Sequence, residues 1–173
     1  MLQKILSGAL LLAIVFVAQV AAQPNSTTVN PSLTIVQPIT ITKIENQDLL
    51  FGKFAAYVET QGTVILGTNG QRSATGNITL LETVPYGAAE FRVQGLANAA
   101  FDLLLPTTAT LLNQLPNSDD EMVVSDFVTN IDGTPTIGVD GTLTFNVGAT
   151  LTKTNAAGRG TYAGTFSVTV NYQ

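Results

Sequence analysis

From Tyr162 onward every second residue is apolar or glycine: Tyr162, Gly164, Phe166, Val168, Val170 and Tyr172. Ala163, Thr165, Ser167, Thr169 and Asn171 stand between them. A period of two sends successive side chains to opposite faces of an extended chain, so this stretch predicts a strand with one buried and one wet face. Leu143, Phe145, Val147, Ala149 and Leu151 form a second such run. Shorter ones are Phe54, Ala56 and Val58, then Phe91 and Val93, then Phe101, Leu103 and Leu105. Near the start, Val29, Pro31, Leu33 and Ile35 alternate, followed by Ile39 and Ile41. Between the runs lie TNG at 68–70, DG at 132–133, DG at 140–141 and NAAGRG at 155–160. Such residues accept positive φ in tight turns. Many short strands joined this way predict an all-β, antiparallel sandwich or barrel.

Two local readings qualify that picture. In TATLLNQLPNSDDEM, residues 108–122, Leu111, Leu112 and Leu115 can share one face of a short helix ended by Pro116, but a loop with an apolar anchor is favoured. The runs 143–151 and 162–172 look like hairpin partners whose apolar faces join on one side of a sheet.

The chain has 173 residues. Lys4 followed by LLLAIVFVAQV, with Val20, Ala21 and Ala22 as small residues, reads as a secretory leader over residues 1–22, cut before Gln23. The apolar run is short for a membrane span, which takes about 20 residues, so no membrane span is expected after cleavage. Residues 23–38 then form either an N-terminal extension or a first edge strand, and 39–173 a single β domain. A chain near 150 residues buries roughly 70% of its unfolded surface, enough for one core.

Composition narrows the chemistry. Cysteine, histidine and tryptophan are absent. Disulfides, thiol or imidazole zinc sites and Ser-His-Asp or Cys-His catalysis are therefore excluded. Twelve carboxylates against seven cations, all scattered, leave no electrostatic footprint for nucleic acid. Asp119, Asp120 and Glu121 lie side by side but lack the spaced ligands of a calcium loop. Asp132 and Asp140 precede glycines and read as turn formers. No spacing selects a catalytic pair among Glu45, Glu59, Glu82 and Glu90. NAAGRG lacks the ending of a phosphate loop, and NST at 25–27 and NIT at 77–79 match the glycosylation sequon. No enzyme, metal or cofactor is expected.

A regular amphipathic strand at the end of a chain can be an edge left for another chain to complete. The run 160–172 resembles the C-terminal motif of chaperone–usher pilus subunits, an alternating strand with the aromatic next to last and a glycine fourteen from the end. Tyr172 and Gly160 occupy those places. More widely, DLLFGKF at 48–54, FRVQGLANAAFDLLLP at 91–106, VGATL at 147–151 and GTYAGTFSVTVNY at 160–172 resemble a bacterial secreted domain-of-unknown-function family, number 4402. That resemblance implies an immunoglobulin-like or adhesin-like antiparallel β-sandwich in an exported protein. Many pilus subunits carry a disulfide, which this chain cannot form.

Two functions follow as expectations. The leading one is a non-enzymatic structural or surface protein, pilin-like or fimbrial, assembled by β-strand addition in the periplasm, at the cell surface or outside the cell. Its partners would be a periplasmic chaperone and neighbouring copies of itself. Val29, Leu33 and Ile35 are the candidate donor positions. Gly160, Tyr162, Gly164, Phe166, Val168, Val170 and Tyr172 line the candidate groove. Pro31 within the run lacks an N–H for one ladder bond, and the same residues 29–44 could equally be the domain's own first strand or two. The alternative is a self-contained secreted sandwich that binds glycan or protein through NSDDEM, Tyr86 and neighbouring loops.

Overall fold

The computed structural model of the protein describes residues 25–173, and the leader assigned to residues 1–22 lies outside them. Residues 35–173 form one compact unit, and residues 25–39 carry no strand. The strands in chain order are β1 (Thr40–Lys43), β2 (Lys53–Ala56), β3 (Gly62–Leu66), β4 (Arg72–Gly76), β5 (Ile78–Leu81) and β6 (Ala89–Gln94). They continue with β7 (Phe101–Leu104), β8 (Thr108–Asn113), β9 (Glu121–Thr129), β10 (Thr142–Lys153), β11 (Tyr162–Ala163) and β12 (Thr169–Tyr172). Every ladder is antiparallel, and the described residues contain no helix. The fold is all-β, as the period-two runs predict. The expected turns are also in place, with Gly70, Gly133 and Gly141 all at positive φ. At the last of these, Asp140 accepts hydrogen bonds from the Thr142 hydroxyl (2.7 Å) and then the Thr142 N–H (3.0 Å), which lower its pKa.

β10 is the axis of the main sheet. Its first half pairs with β6, from Thr142 opposite Gln94 to Val147 opposite Ala89. Its second half pairs on the same edge with β3, from Ala149 opposite Leu66 to Lys153 opposite Gly62. Its other edge pairs with β9. β1 extends the sheet beyond β6, β4 beyond β3, and β8 with β11 beyond β9. Phe145, Val147, Ala149 and Leu151 all point inward and are buried, so the alternation of this run is one continuous core face.

A cover layer of two separate ribbons packs over that sheet. β12 pairs with β7, Val170 opposite Leu103 and Tyr172 opposite Phe101. β2 pairs with β5, Phe54 opposite Leu80. The core splits accordingly. One cluster joins Phe101 and Val170 to Phe91, Val93, Phe145 and Val147. The other sets Phe54, Ile78 and Leu80 against Val64, Leu66, Met122, Val124 and Leu151. Leu49 and Phe127 touch both clusters.

Two expectations are corrected. Residues 108–122 form neither a helix nor an anchored loop: β8 runs to Asn113, a turn follows, and β9 starts at Glu121. Leu111 lies opposite Met122 and faces the core, while Leu112 and Leu115 stay exposed. A ladder along β9 provides hydrogen-bond partners and a buried face for every second residue, which outweighs the weak helical spacing of three leucines. The runs 143–151 and 162–172 are not hairpin partners either. Both edges of β10 are already occupied, so the chain after it crosses to the far edge at β8 and then to the cover layer at β7.

β9 holds a further feature. Gly148 lies opposite Val128 and Thr150 opposite Ser125, so Asp126 and Phe127 together face a single residue of β10. This is a β-bulge, with Asp126 at φ 51°. The extra residue inverts the parity of the strand. Met122 and Val124 point inward before it and Phe127 after it, while the Asp126 carboxylate stays in solvent.

Candidate functional site

Between the ribbons the cover layer is incomplete. A trough of about 1210 Å³ opens there. Its floor is the inner face of the main sheet: Ala89 and Phe91 of β6, Ala109 and Leu111 of β8, Met122, Val124 and Phe127 of β9, and Leu151 of β10. One wall is Leu49 to Val58, which includes β2, and the other is Ala157 to Phe166, which includes β11. The walls run in opposite directions. The Leu49 end lies by β6, where Leu50 pairs with Gly87, and the Val58 end lies by Lys153, which hydrogen-bonds the Val58 carbonyl at 3.0 Å. Phe166 meets Phe91 and Phe127 at the first end, with ring centroids 6.2 and 5.0 Å apart.

Polar pins hold both walls. On the C-terminal side, buried Asn113 donates to Asp120 (3.4 Å), the Arg159 carbonyl (3.3 Å) and the Tyr162 hydroxyl (3.4 Å). The Asp120 carboxylate also accepts from the Gly158 N–H at 3.1 Å, and Tyr162 donates to the Gly158 carbonyl at 2.9 Å. Burial, and then the nearby Asp120 charge, raise the Tyr162 pKa. Gly160 is required here because a Cβ would enter the Asn113 amide. At Gly164 a Cβ would strike the Thr110 carbonyl of β8.

On the β2 side the pin is Arg72, whose side chain is only 1% exposed. Its guanidinium donates to the carbonyls of Phe51 (2.8 Å), Lys53 (3.2 Å) and Leu81 (2.5 Å) and to the Glu82 carboxylate (3.1 Å). It also lies 4.1 Å over the ring of Tyr86. At the far end buried Lys153 donates to three carbonyls, those of Val58, Thr60 and Thr154, each at 3.0 Å. Burial lowers its pKa.

The backbone along the trough is not fully paired. β2 has a ladder on one edge only, with β5. Residues 164–168, between β11 and β12, belong to no ladder among the described residues. An unpaired strand edge beside exposed apolar side chains is a template for another strand.

The predicted groove residues are divided by this geometry. Gly160, Tyr162, Gly164 and Phe166 form one wall of the trough. Phe166 also packs against the closed cluster with Phe101 and Phe145, and Val168 and Val170 lie there alone, away from the trough. Tyr172 borders the same cluster, and its hydroxyl donates to the Gln37 carbonyl (2.9 Å) and accepts from the Leu96 N–H (2.6 Å). The donor candidates Val29, Leu33 and Ile35 are 80, 85 and 88% exposed. The alternative binding surface is partly engaged within the fold, with Tyr86 stacked on Arg72 and Asp120 bonded to Asn113 and Gly158. The opposite wall and the pins Arg72, Asn113 and Lys153 escaped the sequence reading. Only the run Phe54, Ala56, Val58 hinted at that wall.

The fold and the trough define an antiparallel, β-sandwich-like domain with a gap in one layer. No helix of the described residues is long and apolar enough to cross a membrane. The chain belongs to the family described as Domain of unknown function (DUF4402), whose model matches residues 39–172 and spans all four segments that carried the resemblance. No curated protein and no solved structure matches it.

Proposed function

We propose that this protein is an exported structural subunit of a bacterial surface assembly, pilin-like in design, and that an extended apolar segment completes its sandwich at the trough. One observation carries the reading: an apolar trough lies between two backbone edges that lack ladder partners, on walls held by polar pins. An acyl chain would fill the volume but make no use of the unladdered backbone of 164–168 beside it. A strand satisfies both needs. Each Val, Leu or Ile it buries contributes about 1.5–3 kcal/mol. Val29, Leu33 and Ile35 share the parity such a strand requires, and they are exposed.

A synthetic peptide with the sequence of residues 25–36 tests this. Added to the chain beginning at Gln37, it is expected to slow hydrogen exchange at residues 164–168 and raise the unfolding temperature, while a scrambled peptide does neither. Equal exchange with both peptides would refute strand addition.

A further inference from the structure

We infer that the strand best suited to the trough belongs to a different protein and carries carboxylates on its outward side. This rests on the strand-addition reading and adds the chemistry of the partner. The chain is acidic, with twelve carboxylates against seven cations. Its trough is not: Lys43, Lys53, Lys153 and Arg159 line it, against Asp48 alone among the acids. Lys43 and Asp48 neutralise each other in an ion pair of 2.8 Å. Three cations are left, and among the described residues none of them has a carboxylate partner. Lys153 is buried at one end of the trough, its ammonium held by three carbonyls, which supply dipoles but no neutralising charge. Lys53 and Arg159 are exposed and stand on opposite walls, at the start of β2 and in the loop before β11. Glu59 follows Val58 in the chain and Asp120 is engaged by Asn113 and Gly158, but neither lines the trough.

A cleft of one sign with low-dielectric walls focuses its field on whatever enters. The apolar floor calls for aliphatic side chains and the lips call for anions. An extended segment provides both, because its successive side chains point to opposite faces. With Val, Leu or Ile turned to the floor, the residues between them emerge between Lys53 and Arg159, where carboxylates gain most. The segment preceding β1 does not fit that description. No charged residue lies between Lys4 and Lys43, so Val29, Leu33 and Ile35 have the apolar spacing without the charge. The acids next to an alternating apolar run, Asp119 to Glu121, lead into β9, which is already paired on both edges. The matching segment is therefore one in which aliphatic residues alternate with Asp or Glu, and it is supplied by another protein.

The test titrates the chain beginning at Gln37, which retains every strand, with three peptides at low ionic strength. They are the 25–36 sequence, its Asn30→Glu/Ser32→Glu/Thr34→Glu form and its Asn30→Lys/Ser32→Lys/Thr34→Lys form. All three share Val29, Leu33 and Ile35 and differ only in outward charge. The Glu form is expected to bind about three- to tenfold more tightly than the neutral peptide, the combined worth of two exposed ion pairs, and the Lys form more weakly. The spread should narrow at about 1 M salt, where charges are screened beyond about 3 Å. It should also narrow in Lys53→Gln/Arg159→Gln, with binding of the neutral peptide unchanged. Equal affinity for all three peptides would overturn the charge preference while strand addition stands. Failure of the neutral and Glu forms alike to bind and to slow exchange at 164–168 would refute strand addition itself. A spread unaffected by Lys53→Gln/Arg159→Gln would move the attraction off the trough and overturn the inference. So would dodecanoate binding more tightly than the Glu form without protecting 164–168, which would give the trough to an anionic amphiphile.

Discussion

The two halves of the sandwich rest on the same sheet and differ only in what covers them. Over the Val93 end of β6 and the first half of β10, the β7–β12 ribbon seals the layer, and Phe101, Val93, Phe145 and Val147 are fully buried. Over β8, β9 and the second half of β10, the β2–β5 ribbon covers part of the floor and leaves the trough. Apolar side chains alone would draw such a gap shut. It stays open because each wall is tied to backbone carbonyls and amides by a buried polar side chain: Arg72 on one side, Asn113 on the other, Lys153 at the end. Both halves are packed, and in the open half buried side-chain hydrogen bonds also hold the walls around an unfilled space.

The largest test of that contrast is in the closed half. Phe145→Ala, at a fully buried ring stacked 5.7 Å from Phe91, should cost about 3–5 kcal/mol in urea unfolding. The matching change in the open half, Phe54→Ala, should cost about 1–2 kcal/mol, because that half-buried ring packs on the open-half cluster and also lines the trough. Equal losses would mean the two halves are equally packed.

Next in size is Arg72→Met, which removes the donors to three carbonyls and should cost about 2–3 kcal/mol. Its exposed partner Glu82 adds little to that figure. The sharper readout is local. Hydrogen exchange should quicken in β2 and β5 and remain unchanged in β7 and β12. Acceleration in all four strands would show that the ribbons are not independently held.

The smallest effect is a dependence on pH. Burial lowers the Lys153 pKa below its ordinary 10.5, so the folded chain sheds this proton before the unfolded chain does. As pH climbs from the lowered value toward 10.5 the unfolded state binds more protons, and this residue's contribution to stability rises. Tyr162 acts in the opposite sense above its ordinary 10.0, because its folded pKa is raised. The difference between the parent and Lys153→Met isolates the lysine. The parent should gain on the variant as pH increases over that range, and a parent that loses ground would contradict the assigned burial.

Much of the fold is legible in the sequence. The parity of β6, β7, β10 and β12 matches the alternation at Phe91, Phe101, Phe145 and Val170, and the glycines of TNG and the two DG pairs take up positive φ. Of the candidate site, the sequence shows the wall from Gly160 to Phe166 and the donor-like spacing of Val29, Leu33 and Ile35. It hides the opposite wall and every pin, because Arg72, Asn113 and Lys153 act through carbonyls and amides distant in sequence. It also hides the bulge at Asp126, a single residue that swaps which side of β9 carries Phe127 inward.

By itself, then, the order of residues determined which side of each strand is apolar, since side-chain direction in an extended chain is a local property with a period of two. The choice of neighbours belonged to the tertiary structure. With β6, β3 and β9 occupying the edges of β10, the last segment could not return as its hairpin partner. It was sent across the sandwich, paired only at its two ends, and the gap it left beside β2 is the trough.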